Sequence, residues 1–415
     1  MDEKVQIQGK GAAARQNAAA LCADATRWVV IVAPFAIIAG PSPGDIAASL
    51  AAILFLAHSA LARRWFWLRQ PWVIAALALW SYSCLRSMLV PYPAAALGTA
   101  LPFIRFPIFA AGLQCLVLRD AKTRTHFIWA ASAALSGLAL DGLLQFLTGF
   151  DIVGRPRWGF RLLAFYHHAW VGAVIAWLFL PVALGLFDAG KRWLALGGGV
   201  LWFTIVLLSG DRMALLCALA QLVILALCTR RARRVFLIGL PIVAVGVGAI
   251  LYVAPSIYDR QVKQTASSIR GFGESQYAAL WTSAWKIARA HPLFGVGSKG
   301  FEKVCPDPNL GPIYPFKSGE ARCAPHPHNT YLEWLDDGGL VGLGLFLLTM
   351  GYIITALLPL VRNHALGWSA AGLFATLLAR LWPLASWTSF HHAWSAVPFW
   401  LVVGWGLALA QGKDA

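Results

Sequence analysis

The sequence predicts an all-α, polytopic membrane protein. Of its 415 residues, 59% are hydrophobic and only 13% are charged, whereas soluble proteins carry about 25% charged residues. Apolar runs of about 20 residues, the length that spans a bilayer as a helix, recur along the chain. The 20 tryptophans and 23 phenylalanines are also typical of proteins that contact membrane interfaces.

Twelve apolar runs predict about twelve transmembrane helices. Residues 1–27 are expected to form a cytoplasmic tail without a cleavable signal peptide, because they are polar and alanine-rich. Residues 28–254 hold the first nine spans, 255–328 form a long polar loop, 329–411 hold the last three spans, and 412–415 are a short cytoplasmic tail. The expected spans are 28–40, 44–62, 72–90, 98–118, 126–148, 167–187, 193–210, 212–229, 234–254, 329–361, 366–384 and 393–411.

The distribution of lysine and arginine predicts the orientation. With the N-terminus in the cytoplasm, the loops expected inside are basic, while the outer loops 91–97 and 385–392 contain no lysine or arginine. Both termini are then cytoplasmic and the long loop 255–328 lies outside. The net charge of +16 lies in loops between spans, so it indicates orientation and contact with membrane lipids or an anionic substrate, with no nucleic-acid partner.

Several arginines depart from this pattern and are candidate binding residues. Arg157 and Arg161 lie on the outer face between the fifth and sixth spans, and Arg212 begins the eighth span, with Asp211 as its candidate counter-ion. Intramembrane arginines are energetically costly, and arginine is suited to bidentate phosphate binding. We therefore predict an anionic, diphosphate-bearing lipid as substrate; snorkelling to lipid headgroups is the alternative. Arg86, Arg105 and Arg380 also lie in spans, towards their outer ends.

The segment that follows the long loop carries the candidate catalytic residue. Thr330 and Glu333 have the spacing of a capping box, which predicts a helix from about Tyr331, with Glu333 as a cap. His328 would then lie at a helix N-terminus, where the dipole lowers the pKa of a histidine and keeps it able to accept a proton. A helix-cap or interface histidine is the alternative reading. His326 is a second candidate, either as a partner of His328 or as a loop residue.

No metal or cofactor is predicted. The pair His326 and His328 has no cysteine or carboxylate at ligand spacing, and no nucleotide-binding motif occurs in the sequence. Cys305 and Cys323 both lie in the polar loop and are a candidate disulfide if this loop faces an oxidising compartment. The other five cysteines lie in or beside apolar runs, as buried small residues do.

Three motifs resemble the O-antigen ligase and O-antigen polymerase superfamily of bacterial inner membranes. The first, Ser209-Gly-Asp-Arg-Met-Ala, is similar to the family's Ser-Gly-Ser-Arg-x-Ala segment. The second is His291-Pro-Leu-Phe-Gly-Val-Gly. The third is His326-Pro-His-Asn-Thr-Tyr-Leu-Glu followed by Gly338-Gly-Leu-Val-Gly. The motifs cover about 35 residues, and the layout of spans extends the resemblance along the chain.

The resemblance implies a GT-C-like, metal-independent, inverting glycosyltransferase. It would move O-antigen polysaccharide from undecaprenyl diphosphate to a hydroxyl of lipid A–core, at a periplasmic active site of the bacterial inner membrane. The family pattern makes His328 the catalytic candidate and Arg212 the diphosphate candidate, with Arg289 as a further basic residue of the loop. Asn329 and His168 are secondary candidates.

One departure from the family pattern concerns the loop helix, an amphipathic helix expected over Tyr277–Ala290 of the long loop. Its apolar face would consist of Leu280, Trp281, Ala284, Trp285 and Ala288. Many members carry an arginine where this chain reads Ser275-Gln-Tyr, and Arg270 is the candidate replacement. The compact length and single large late loop resemble the ligase more than the polymerase, which remains the near alternative. A transporter of an anionic lipid is the distant alternative, although the repeated halves and broken helices of transporters are not evident.

Overall fold

The chain folds as helices packed on helices. A computed structural model describes residues 2–307, 309–310 and 324–411. Within these residues no strand forms, and the only extended pairing is two isolated bridges between residues 150 and 161. The predicted all-α class is therefore confirmed. The expected tail 412–415 lies outside the described residues.

Seven helices of the described chain are long and apolar enough to cross a membrane, and they identify the chain as a membrane protein. Each corresponds to one of the twelve expected spans. Because apolar surface on this scale is stable only in lipid or against other helices, these helices form the scaffold of the protein. They are Ala12–Ala39, Pro41–Leu61, Pro93–Val117, Ala121–Thr148, Val171–Asp188, Thr330–Arg362 and Ala393–Ala410.

The expected count of twelve spans is not confirmed. Four of the other five expected spans fall on helices that are shorter or less apolar, and the fifth falls on Arg230–Val253, a helix of 24 residues. A helix of 17 residues, such as Arg192–Leu208, rises only about 25 Å, less than the roughly 30 Å of a bilayer core. The five are Pro71–Met88, Arg192–Leu208, Arg212–Cys228, Arg230–Val253 and Trp368–Arg380.

The N-terminal helix begins far earlier than the sequence analysis expected. It extends over Asp2–Ala39, and its apolar part begins at Ala12 rather than at residue 28. The segment that we expected to be a tail is rich in alanine, the strongest helix former. The first span therefore continues a helix that is already formed.

Short helices fill the polar loop. Gln276–Ala290 confirms the amphipathic helix expected near 277–290; Ser275 caps it by accepting from the Ala278 N–H at 3.1 Å. Its buried apolar residues include Leu280 and Ile287, whereas Trp285, expected on the same face, is 54% exposed. The remaining short helices of this region are Pro255–Tyr258, Asp259–Lys263, Gln264–Arg270 and Gly300–Val304.

Two glycine-containing motifs meet at a kink in the helix Thr330–Leu357, here called the motif helix. Gly339 interrupts this helix with φ +63°. The backbone groups freed at the kink pair with the segment 292–297: four hydrogen bonds of 2.7–3.2 Å join it to residues 336–341. The backbone groups at the kink are therefore paired, because the second motif provides hydrogen bonds in place of those that the helix loses.

Arg86 secures this junction, so its role is structural. Its guanidinium donates from Nε to the Phe294 carbonyl at 2.9 Å and from Nη2 to the Gly295 carbonyl at 2.7 Å. Tyr82 donates to the Gly338 carbonyl at 2.6 Å. Arg105, the second arginine noted within a span, pairs with Asp45 at 2.7 Å.

Substitution of Gly339 tests the junction. A Cβ there would overlap the Leu293 carbonyl and the Phe294 nitrogen, and the positive φ strains any other residue. We expect Gly339→Ala to destabilise the protein by about 2 kcal/mol or more, measured as a lower thermal unfolding midpoint in detergent. Gly351→Ala, in the same helix but with open space around the new Cβ, is the control. Equal unfolding midpoints for the two variants would contradict the stabilising role of this junction.

Candidate functional site

His328 adopts a backbone conformation that few residues other than glycine adopt. Its φ is +55°, which costs of order 1–3 kcal/mol and persists only where the surroundings impose it. Its N–H donates to His326 Nδ1 at 3.2 Å, and the two imidazole rings lie 4.2 Å apart. Its carbonyl accepts from the Trp387 N–H at 3.3 Å.

The environment keeps His328 neutral. Burial, together with the neighbouring His326, lowers the pKa of His328 to about 4. Burial also lowers the pKa of His326. The sequence analysis predicted a lowered pKa and attributed it to a helix dipole, whereas the main cause is burial. A neutral imidazole at this position can accept a proton.

Asn329, not Thr330, caps the motif helix, so the predicted capping box is wrong. Asn329 Oδ1 accepts from the N–H groups of Tyr331 at 3.0 Å and Leu332 at 3.1 Å. Asparagine is among the strongest N-cap residues, which explains why the helix begins one residue early. Asn329 Nδ2 donates to the Pro383 carbonyl at 2.7 Å. This secondary candidate therefore links two segments of the chain.

Glu333 is not a cap either. Its carboxylate accepts from the Ser389 hydroxyl and from the Phe390 N–H, the latter at 2.8 Å, and lies 3.6 Å from His391 Nδ1. Burial alone would lower the pKa of His391. The hydrogen bond and the charge of Glu333 outweigh that effect, so the pKa of His391 is raised.

The loop 381–392 therefore holds residues 328–333, here called the candidate catalytic segment. It binds residues 328–333 through the His328 carbonyl, the Asn329 amide and the Glu333 carboxylate. It also accepts a hydrogen bond from the Tyr331 hydroxyl, which reaches the Leu381 carbonyl at 2.5 Å. These contacts fix both sides of the strained residue and explain how its conformation is maintained.

A cavity of about 650 Å³ opens beside this segment. His326 and Pro327 form part of its wall, together with Glu333, Ser389 and His391. Arg105, Lys299, Trp170 and Trp394 also line it. The mix of aromatic faces and hydrogen-bonding groups suits a polar organic ligand.

Glu333, Asp337 and His391 are the described residues that could hold a metal ion. One ligand atom from each lies within 4.8 Å of the others, and oxygen and imidazole ligands suit several divalent cations. Sequence spacing gave no sign of this group, because His391 comes from another part of the chain. The hydrogen bonds that Glu333 accepts from Ser389 and Phe390 satisfy its two oxygens within the protein.

A second group, the arginine cluster, consists of Arg161, Arg212 and Arg260. Arg212 Nη1 donates to the Gln264 carbonyl at 2.8 Å and to Ser268 Oγ at 2.6 Å. Arg260 donates to the Gly210 carbonyl at 3.1 Å and to Gln264 Oε1 at 2.7 Å. Gln264 thus bridges two of the three arginines. Arg161 Nε is buried and has no hydrogen-bond acceptor.

The arginine cluster carries a net positive charge, which Asp211 offsets only in part. Burial lowers the pKa of Arg260, and the charges of Arg212 and Arg161 lower it further. In the described part of the chain, no carboxylate forms an ion pair with these arginines. Asp211, which the sequence suggested as the counter-ion of Arg212, instead accepts from the Met213 and Ala214 N–H groups as a helix cap. The cluster is therefore suited to an anion.

Tyr277 lies between the arginine cluster and the candidate catalytic segment. Its ring contacts His328 edge-on, with 5.8 Å between the ring centroids. Its hydroxyl also interacts electrostatically with Arg260. Tyr277 is thus a neighbour of both His328 and Arg260.

The other predicted site residues are not brought to this centre. Arg289 and Arg157 are exposed, and each contacts an aromatic ring at 5.9 Å, of Trp285 and Phe146 respectively. His168 is exposed and stacks at 5.0 Å on Trp170, a residue of the cavity wall. Arg270, the candidate replacement for the family arginine, is also exposed.

The candidate disulfide cannot be traced within the described residues. Cys305 is buried against the loop helix with Leu280 and Ala284, and Cys323 lies outside the described residues. The pairing of these two cysteines stays a prediction.

Sequence reasoning missed Arg260 and the loop 381–392. Arg260 was one of many basic residues in the long loop, and only the fold places it against Gly210. The loop was noted for its lack of lysine and arginine, while its contribution comes from backbone groups and Ser389. Histidines 391 and 392 were a visible but unspecific signal.

The comparison with known families gives one match. Residues 197–347 match the family model described as O-antigen ligase, and this range includes Arg212, Arg260 and His328. This part of the chain is therefore similar to the O-antigen ligase family. No curated protein matched the chain in a sequence search.

Proposed function

We propose that this protein is an O-antigen ligase that transfers O-antigen polysaccharide from undecaprenyl diphosphate to a hydroxyl of lipid A–core. The observation that carries the proposal is the arginine cluster, which has no carboxylate partner and is joined through Tyr277 to a histidine that is kept neutral. The family match over residues 197–347 supports the general reaction.

The arginine cluster would bind the diphosphate of the donor. Arg212 and Arg260 now donate to Gln264 and Ser268, and phosphate oxygens would replace some of these acceptors. As the bond between the sugar and the diphosphate breaks, negative charge develops on the leaving oxygen. Preorganised guanidinium groups stabilise this charge more in the transition state than in the bound donor.

His328 would act as the general base. The acceptor hydroxyl attacks the anomeric carbon, its proton passes to the imidazole, and the undecaprenyl diphosphate departs from the opposite face. This single displacement inverts the anomeric centre, because it forms no covalent intermediate on a carboxylate. In this mechanism arginine charge does the work that a metal ion does in other glycosyltransferases.

The acceptor would enter through the 650 Å³ cavity. His326, on its wall, contacts His328 directly, so a sugar bound there would present a hydroxyl to the base. The lysine and arginine distribution supports a periplasmic site in the inner membrane with both termini in the cytoplasm. The single large loop favours the ligase over the polymerase of the same superfamily.

Glycan transfer with purified components tests this proposal. With lipid-diphosphate-linked O-antigen, lipid A–core and EDTA, we expect transfer by the wild type. His328→Ala and Arg212→Ala should each reduce it by roughly 100-fold or more, through loss of the base and of a leaving-group donor. Arg362→Ala, an exposed arginine at the far end of the motif helix region, should retain full activity.

Three results of this assay would change the conclusion. Full transfer by His328→Ala would remove the general-base role. Growth of the donor glycan without any transfer to lipid A–core would make the protein a polymerase. Binding of the donor without either reaction would favour a lipid transporter.

The pH profile tests the state of His328. The folded pKa of about 4 lies below the ordinary value of about 6.5, so the neutral form should dominate down to about pH 5. The rate of transfer should therefore fall only in acid, with an apparent pKa near 4. Stability depends on pH in the same direction as the rate. The unfolded histidine binds a proton at a higher pH than the folded one, so the stability of the folded protein declines as pH falls from about 6.5 towards 4.

The measurement is the transfer rate against pH, with thermal unfolding at each pH as a control for folding. A rate that falls with an apparent pKa near the ordinary histidine value would contradict the buried, neutral base.

A further inference from the structure

A second, much smaller cavity lies among four helices behind the candidate catalytic segment. Its volume is about 20 Å³, enough for one particle of the size of a water molecule. The helices that enclose it are Val171–Asp188, Arg212–Cys228, Trp368–Arg380 and Ala393–Ala410. The family mechanism proposed above does not use this cavity.

Arg380 places an unpaired charge at this cavity. Both Nη1 and Nη2 are buried, and neither has a hydrogen-bond acceptor. The guanidinium lies 3.8 Å from the ring centroid of Trp387 and 5.9 Å from that of Trp177. No carboxylate of the described chain forms an ion pair with it. Stacking on aromatic rings offsets part of the cost of burying the charge but satisfies none of its N–H groups.

The two tryptophans add further donors without acceptors. The indole Nε1 groups of Trp177 and Trp387 are both buried and lack a partner, and both residues line the cavity. With the two terminal nitrogens of Arg380, four nitrogen donors on three neighbouring residues therefore have no acceptor. Buried donors are nearly always paired in native proteins, so this concentration calls for a missing acceptor.

The other polar residues of the wall do not supply that acceptor. Thr376 Oγ1 donates to Gln221 Oε1 at 2.9 Å, and Gln221 Nε2 donates to the Ala176 carbonyl at 2.7 Å. The Cys217 thiol is a donor as well, to the Ala379 carbonyl at 3.9 Å. These groups satisfy one another or nearby backbone, and leave the arginine and the indoles unmatched.

We propose that this cavity binds one monovalent inorganic anion of the size of chloride. A halide accepts several hydrogen bonds, donates none and neutralises the guanidinium, which matches a wall of donors and one positive charge. A water molecule would need acceptors for its own two protons and would leave the charge unbalanced. Because the cavity holds about one particle of the size of a water molecule, a phosphate or carboxylate ligand, with several heavy atoms, is too large for it.

The anion would support the candidate catalytic segment from behind. The Trp387 ring covers Arg380, while the Trp387 backbone N–H donates to the His328 carbonyl. An anion that binds both Arg380 and the Trp387 indole would therefore fix the loop 381–392 at this point. The site does not depend on which glycan the protein transfers.

Thermal unfolding of the full-length protein in detergent tests the site. Sodium chloride is increased at the expense of sodium gluconate, so that ionic strength stays constant. We expect the unfolding midpoint of the wild type to rise and saturate with chloride, because a ligand that binds only the folded state stabilises it. Bromide should reproduce the rise.

Two matched variants make the test specific. Trp387→Phe keeps an aromatic ring over the guanidinium and removes one donor. The chloride concentration that gives half of the rise in the unfolding midpoint should therefore increase about tenfold. Trp400→Phe removes another buried indole N–H without an acceptor, but Trp400 is not on the wall of this cavity, and its response should equal that of the wild type. Trp177→Phe serves as the second cavity variant if Trp387→Phe fails to fold.

An equal midpoint in chloride and gluconate for the wild type would overturn the proposal, since the occupant would then be water. An unchanged chloride response in the cavity variants would overturn it as well, because the anion would be binding elsewhere.

Discussion

The candidate site depends on the hydrogen bonds between residues 328–333 and the loop 381–392. His328 has a positive φ, a conformation that the local sequence does not favour. Contacts through the His328 carbonyl, the Asn329 amide and the Glu333 carboxylate impose that conformation from the outside. The loop itself contains no lysine or arginine, and its hydrogen bonds with residues 328–333 come from backbone groups and from Ser389.

Backbone contacts between distant segments also stabilise the motif helix. The motif helix kinks at Gly339, and the kink is stable because the segment 292–297 binds the freed backbone. That segment is anchored by Arg86, and it follows directly on the loop helix that carries Tyr277. The motif helix, which begins beside His328, and the loop helix are therefore coupled through backbone contacts rather than through side-chain packing alone.

Local patterns predicted the helical class, the loop helix and the segments that hold the candidate residues. These patterns failed where two adjacent residues could fill the same role, and where the partner of a residue is distant in sequence. Thr330 and Asn329 are both good caps, and only the contact of Asn329 with Pro383 distinguishes them. Asp211 was assigned to its neighbour Arg212, but helix N–H groups bind it instead. Arg260 and the loop 381–392 could not be found, because their contribution depends on contacts between segments that are far apart in sequence.

The most direct test of this account is the transfer rate of Asn329→Asp. An aspartate keeps the oxygen that caps the motif helix, but its carboxylate cannot donate to the Pro383 carbonyl, so one of the links to the loop is lost. Asn363→Asp is the control, since Asn363 also caps a helix and accepts only from the Ala365 N–H. The account predicts a folded Asn329→Asp protein with transfer reduced by about tenfold or more, and a fully active Asn363→Asp protein. Wild-type transfer by folded Asn329→Asp would contradict the claim that the loop positions His328.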